Sequence, residues 1–188
     1  MPGFATVSEF ENHLQRRFTP DEVGPAEQAL DLASGLIQSY TGMELFPGST
    51  SETVHHPTNF SRLGGRLVLR QRPVTAITEV RIDGDLIDPA DYQFVGPTGI
   101  LQVTPSAPLS QTLPDWPTTV TIEYEYGFDP IPAFLKAVCL EVARQSFDNP
   151  QGFVQMSAGP FSATYGSQRD AAVGMVLTAR HERTLARL

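Results

Sequence analysis

A long β-type segment lies between two stretches of helical character, and this order limits the folds open to the chain. Residues 47–127 are rich in Thr, Val, Ile, Pro and Gly, a composition typical of short strands joined by turns. Before it, apolar residues recur at helical spacing over residues 26–40, and after it residues 133–147 are mostly apolar. The two helical stretches are expected to pack on each other. The sequence therefore predicts an α+β protein, a small bundle of helices with an inserted antiparallel β-subdomain.

The helical stretches carry recognisable start and stop signals. Thr19-Pro20-Asp21-Glu22 has the spacing of a capping box, with proline at the first helical position. Gly24-Pro25 follows, so this helix either kinks there or begins at Pro25. Gly42 comes after the last periodic residue, where a left-handed cap is expected. A shorter helix is expected over residues 7–16, with Ser8 as its possible cap.

Residues 119–126 have the clearest strand pattern in the β segment. Val120, Ile122, Tyr124 and Tyr126 alternate with Thr119, Thr121, Glu123 and Glu125. This alternation predicts a strand of an antiparallel sheet with one buried face and one wet face. A turn is also expected at Asp83-Gly84, and a hairpin is expected with strands at residues 92–95 and 100–103 joined by residues 96–99.

The end of the chain is expected to be an extended arm that closes with a short helix. Residues 151–168 are loop-like, rich in Gly, Ser and aromatic residues, and residues 173–188 are expected to end in the short helix. We therefore divide the chain into a helical core over residues 1–148, with its β-insertion at about 47–127, and an arm over residues 149–188.

The charge distribution argues against tight binding to nucleic acid. The net charge is −8, and only residues 169–188 are basic, with four arginines against two carboxylates. An acidic body repels phosphate, whose neutralisation supplies much of the affinity for DNA. The basic end is either a solvated helix or an interaction surface. Cys139 is the only cysteine, so the chain is expected to fold in a reducing cytosol, and no apolar stretch or signal segment indicates a membrane.

Residue types used in catalysis do not form a recognisable constellation. The four histidines lack metal-ligand spacing, and His55 and His56 on a strand would point to opposite faces. Cys139 lies among apolar residues of a helix, as a small buried hydrophobe does. Glu123 and Glu125 are adjacent outward positions, typical of a solvated sheet face and less so of an acid–base pair. The sequence therefore predicts no enzyme, no metal and no cofactor, with a hydrolase of unrecognised site as the enzymatic alternative.

Four segments, in order, resemble segments of the head-tail connector (head-completion, or adaptor) proteins of tailed bacteriophages. Residues 29–42 resemble the family's Ala-Ser-x-x-Ile-x-x-Tyr-x-Gly helix, and residues 69–84 resemble its Pro-Val-x-x-Val strand and turn. Residues 120–132 resemble its strand, Tyr-x-x-Gly corner and proline, and residues 158–166 resemble its Gly-x-x-Ser-x-x-Tyr arm. The resemblance covers nearly the whole chain and depends on order and spacing.

This resemblance implies a structural role in the virion neck. It implies a ring of identical subunits, usually dodecameric, that docks under the portal, extends the DNA channel and joins the head to the tail or to the next neck protein. Genomic DNA would pass through without sequence-specific binding, and the subunits would be made in the host bacterial cytoplasm. A stopper or a tail terminator is the alternative within the same class, although those folds are mostly β.

Two groups of residues are candidates for contacts within that role. Glu123 and Glu125 would face the channel, because an acidic wall resists sticking of DNA. The arm, with Phe153 and Met156, and the basic terminal helix would dock on the portal or on a neighbouring subunit, aromatic residues by burial and arginines by pairing with carboxylates. The docking candidates are Phe161, Tyr165, Arg180, Arg183 and Arg187.

Overall fold

The computed structural model describes residues 3–55, 66–103, 119–149, 155–158, 161–164, 175–186 and 188, with backbone only for 155–158 and 161–164. The chain divides into two compact units, a helical unit of Met1–Gly42 with Ile131–Arg187 and a β unit of Met43–Pro130. Helices and antiparallel sheets are both present, so the predicted α+β class is confirmed. No helix among these residues is long and apolar enough to cross a membrane.

The elements follow the order that the sequence predicts. The described helices are α1 (Val7–Leu14), α2 (Pro20–Thr41), α3 (Ala133–Asp148) and α4 (Ala179–Leu185). The described strands are β1 (Gly48–His55), β2 (Arg66–Val68), β3 (Val74–Ile82), β4 (Asp85–Leu86), β5 (Tyr92–Val95), β6 (Ile100–Val103), β7 (Thr119–Tyr126), β8 (Gln155–Ala158) and β9 (Phe161–Thr164).

Local capping fixes where the first two helices begin. The cap of α1 is Thr6, not Ser8, because Thr6 and Glu9 exchange hydrogen bonds in a capping box. At the start of α2 the Glu22 carboxylate accepts the Thr19 N–H at 2.9 Å. α2 then runs through Pro25 without ending, and it does not begin there. Pro25 lacks the N–H that would form one intrahelical bond, and this gap lies near the capped start of α2.

The helical unit has its core between α2 and α3. Ser34 on α2 meets Cys139 on α3, with 3.5 Å between their oxygen and sulfur atoms. Ser34 also accepts the Phe4 N–H at 2.9 Å and donates to the Leu30 carbonyl at 2.8 Å, so its hydroxyl is satisfied inside the core. The remaining buried residues of these helices are apolar: Ala26, Ala29, Leu30, Ala33, Ile37, Leu135, Val138, Val142 and Ala143.

The β unit contains two antiparallel sheets with one buried cluster of side chains. The larger sheet has the order β1-β7-β3-β4, and the smaller sheet has the order β2-β6-β5. The predicted turn and the predicted hairpin are both present, with Asp83 and Gly84 at positive φ in the β3–β4 turn and Gly99 at positive φ before β6. The buried cluster includes Leu69, Val80, Ile82, Leu101, Val120, Ile122 and Tyr124.

The C-terminal part differs from the loop-like segment that the sequence indicates over residues 151–168. β8 and β9 form an antiparallel hairpin, with Gln155 opposite Thr164 and Ala158 opposite Phe161. Both strands alternate polar and apolar residues, but each is only four residues long, the shortest run from which alternation predicts a strand. Residues 173–188 end in a short helix as predicted, which begins at Ala179 after its Thr178 cap and ends at Leu185.

Candidate assembly surfaces

The outer face of the larger sheet is polar and carries both candidate channel residues. Glu123 and Glu125 are exposed on β7, and the alternate residues of that strand are buried, as the sequence predicts. Across the sheet Glu123 lies opposite Ser51 of β1 and Glu79 of β3. This face thus combines carboxylates with short hydroxyl side chains.

One guanidinium partly neutralises this face. Arg81 of β3 pairs with Glu79 and also donates to the Gly84 carbonyl at 3.2 Å. The Glu79 hydrogen bond, with its charge and that of Glu123, raises the pKa of Arg81 above its ordinary value. Among the described residues of the sheet, the carboxylates of Glu79, Glu123 and Glu125 share this face with the Arg81 guanidinium, so the described part of the face is acidic.

The buried face of β7 is held by two tyrosine hydroxyls. The Tyr124 hydroxyl donates to Glu52 at 2.9 Å and accepts the Gln71 N–H at 3.1 Å. The same Glu52 oxygen accepts the Arg70 N–H at 3.0 Å. The Tyr126 hydroxyl donates to Glu44 at 2.7 Å. These bonds tie β1 and the segment after β2 to the strand that presents Glu123 and Glu125.

Replacing Tyr124 with Phe is expected to lower the free energy of unfolding by about 1–2 kcal/mol. The Glu52 carboxylate keeps the Arg70 N–H but loses the Tyr124 donor, and the Gln71 N–H loses its acceptor, which carries a desolvation penalty. Urea unfolding followed by circular dichroism measures the change. Tyr92→Phe is the matched control, because Tyr92 is a buried residue whose hydroxyl makes no hydrogen bond with the described residues. Equal losses of unfolding free energy in the two variants would mean that the Tyr124 hydrogen bonds do not stabilise the fold.

The same tyrosines predict a loss of stability in alkali. Burial first, and then the Glu52 contact, raise the pKa of Tyr124 to about 12 from an ordinary value of 10.0. The folded chain therefore holds this proton more tightly than the unfolded chain. The stability that protonated Tyr124 contributes is complete below pH 10, and it is lost as the pH rises toward about 12. Unfolding measured at a series of alkaline pH values should show a shallower decline for Tyr124→Phe than for the unaltered chain, and identical slopes would exclude this assignment.

The terminal helix α4 is fixed to α3 by a buried histidine. His181 is 4% exposed, and its Nε2 lies 2.8 Å from a Glu141 carboxylate oxygen. Its Nδ1 accepts the Thr178 N–H at 3.3 Å, and Thr178 caps the helix in return. Because Nδ1 accepts, Nε2 carries the proton and donates to Glu141. The role of His181 as a buried anchor was not predicted from the sequence, although Thr178 and His181 have capping-box spacing.

The candidate docking residues divide by what the structure describes. Arg180 and Arg183 lie on the exposed side of α4 and make no ion pair with any described residue. Phe161 begins β9, where only the backbone is described. Tyr165 and Arg187, like His56 and Phe153, lie outside the described residues. The structure thus brings Arg180 and Arg183 onto one helix, and the docking role of the whole group stays a prediction.

The helical unit also has a cavity of about 580 Å³ at the ends of α2 and α3. Its lining includes Ala29, Leu32 and Phe147, together with Arg16 and Glu22, which pair at 2.9 Å. The Thr19 N–H, and next Arg16, lower the pKa of Glu22, so this carboxylate serves as a charged helix cap.

Cys139 has the environment that its sequence neighbours indicate. It is completely buried, and burial raises the pKa of its thiol, which keeps the sulfur neutral. Among the described residues, no group of three or more His, Cys, Asp or Glu side chains has the geometry to hold a metal ion.

Comparison with known proteins gives similarity in structure without similarity in sequence. No protein-family model and no curated protein matches the chain. A chain from the neck of the native gene transfer agent (GTA) particle, computed with C12 symmetry, is 20% identical with a TM-score of 0.53, covering 82% of this chain and 81% of that one. A chain from the neck of the empty GTA particle, computed with C6 symmetry, is 19% identical with a TM-score of 0.53, covering 84% and 82%. A chain from the native GTA virion is 22% identical with a TM-score of 0.54, covering 84% of both. At these identities the likeness establishes the fold alone, and this chain has a fold that occurs in the necks and virions of gene transfer agents.

Proposed function

We propose that this chain is a structural head-tail adaptor of a tailed bacteriophage or a phage-like particle. The observation that carries the proposal is the similarity to GTA neck chains over more than four-fifths of both chains. The four sequence segments that resemble the adaptor family support it, because they occur in order along the same fold. In this role the chain works by assembly and has no catalytic step.

The proposed assembly is a ring of identical subunits under the portal, with a stopper or tail protein on its other side. The related necks were computed with C12 and C6 symmetry, which favours a dodecamer. A ring needs head-to-tail contacts, in which one surface of each subunit meets a different surface of the next. The ring would extend the channel through which genomic DNA passes.

The acidic face of the larger sheet is the proposed channel wall. Glu123 and Glu125 are exposed on a central strand, and the cross-strand neighbours of Glu123 offer a hydroxyl and a further carboxylate. Negative charge repeated around a ring repels phosphate, so DNA slides past without binding. Arg180 and Arg183, with the arm residues, would face the portal or a neighbouring subunit.

Reversing the charge of Glu123 and Glu125 is expected to make assembled rings bind duplex DNA. With Glu123→Lys and Glu125→Lys, each new phosphate contact steepens the fall of log K with log[salt] by about 0.9. DNA retardation by purified rings, measured over a salt series, tests this. Glu27→Lys with Asp85→Lys makes the same charge change at exposed positions outside this face. Equal binding by both variants would contradict the channel assignment.

Deletion of the gene from its phage tests the role itself. Electron microscopy of lysates should show filled or leaking heads beside separate tails of normal length. Empty unsealed heads with attached neck rings would indicate a stopper, and tails of abnormal length would indicate a terminator. Intact infectious particles would overturn the structural role and return the hydrolase alternative.

A further inference from the structure

Among the described residues, strand β1 leaves one long edge of the larger sheet without a partner strand. β7 pairs with one side of β1, and the backbone of its other side makes no hydrogen bond with the described residues. β1 is eight residues long and contains no proline and no lysine. The opposite edge is guarded, because β4 has only two residues and β3 carries two irregularities in register. Natural sheets protect long edges with such devices, and β1 lacks them.

The single charge on β1 does not protect this edge. Glu52 is half-buried, and its carboxylate is occupied by the Tyr124 hydroxyl and the Arg70 N–H. The residues on the outer face of the strand, Ser49, Ser51 and Thr53, are exposed and uncharged. An incoming strand would therefore meet free backbone groups and short polar side chains.

The β8–β9 hairpin lacks a third strand, just as β1 lacks a second neighbour, among the described residues. Each of its strands pairs only with the other among the described residues. A two-stranded hairpin is marginal in water, and a third strand is the usual remedy. Neither strand sequence contains a charged residue, so neither edge is guarded by charge. Within one copy, β1 and this hairpin belong to separate sheets.

We propose that the β1 edge of one subunit takes up the β8–β9 hairpin of the next subunit as added strands. This inference rests on the proposed ring and names the contact that closes it. Backbone hydrogen bonds across the new edge supply affinity, as in other cases of strand addition. The edge and the hairpin are different parts of the chain, so every copy gives one and receives one. Such a head-to-tail contact closes into a ring when its rotation divides a full turn.

Disulfide trapping in the full-length chain tests the contact. One variant carries Ser49→Cys, Ser51→Cys or Thr53→Cys, and its partner carries Ser157→Cys on β8 or Ser162→Cys on β9. Bridged cysteines need Cα atoms about 5.5 Å apart, close to the spacing of neighbouring strands. Mixtures should give linked dimers, and chains with both substitutions should give a ladder of linked oligomers. Cys139 stays in place because it is completely buried.

Two matched controls lie on β7. Thr121 is the cross-strand partner of Thr53 on the same face, one strand further from the edge, so Thr121→Cys should not link to the hairpin. Thr53→Lys should weaken association at least about tenfold, because an edge lysine blocks strand addition, and Thr121→Lys should weaken it far less.

The outcomes separate this inference from the proposed function. Linked ladders in closed rings support both. Closed rings without any hairpin-to-edge link, or with links equally strong at Thr121→Cys, overturn the strand addition and leave the ring. In chains that carry both substitutions, links that stop at dimers or at open filaments keep the strand addition and count against the adaptor. A chain that stays monomeric and unlinked contradicts both.

Discussion

Replacing Leu30 with Ala is expected to lower the free energy of unfolding of the helical unit by about 2–5 kcal/mol. Leu30 is 3% exposed on α2, and its carbonyl accepts from both Ser34 and the Cys139 thiol. Removing the side chain leaves a cavity beside α3, and the close packing around it limits collapse. Calorimetry or urea unfolding measures the loss, read as a shift of the helical transition.

The same chain offers a matched control two residues away. Leu32 lies on the same helix but is 53% exposed, so Leu32→Ala removes an identical group from a surface position. Its effect is expected to stay within about 1 kcal/mol. Similar losses at the two positions would mean that the α2–α3 core is wrongly placed.

The core of the helical unit was predictable because apolar residues at helical spacing mark the buried side of a helix. The expected stripe over residues 26–40 includes Ala26, Leu30, Ala33 and Ile37, all of which are buried. Tyr40 is the exception, since it closes the stripe yet is exposed. Periodicity predicts which side of the helix each residue faces. It does not predict how far along that helix the neighbouring helix packs against it.

The strands of the β unit were predictable to the residue where alternation or turn chemistry marks them. β7 has the expected bounds, and so do β5 and β6 around the turn that ends at Gly99. The order β1-β7-β3-β4 was not predictable, because strand alternation fixes faces and leaves the choice of neighbours open. The unguarded edge of β1 is thus visible only in the structure.

For the candidate functional residues, the sequence predicted which side chains are exposed, but it did not predict their hydrogen-bond partners. The outward positions of Glu123 and Glu125 were expected, whereas the tyrosine–carboxylate bonds behind them join residues far apart in the chain, such as Glu52 and Tyr124. His181 is the clearest omission. It is a helix cap and a buried anchor at once, and only the fold places Glu141 beside it.

Reversing the charge of Arg180 and Arg183 is expected to weaken docking of the chain on the portal at least about 30-fold. Both arginines are exposed on α4 without ion pairs among the described residues, so their charges are available to an acidic partner. Losing one member of a buried charge pair across an interface costs about 2–5 kcal/mol, and 2 kcal/mol is about 30-fold in affinity. Binding of the purified chain to purified portal, measured by fluorescence anisotropy at fixed ionic strength, gives the ratio directly.

The fold of α4 should survive the substitutions Arg180→Glu and Arg183→Glu, which makes the result interpretable. Glutamate near the start of a helix is favourable and near its end unfavourable, so the two changes nearly cancel. The His181 anchor is on the buried side and is untouched. Arg66→Glu with Arg70→Glu makes the same charge change at exposed positions of the β unit and should leave docking within a few-fold. Unchanged docking by the α4 variant, or equal weakening by the control, would mean that overall charge or another surface carries the contact, and the terminal helix would then be only a solvated end.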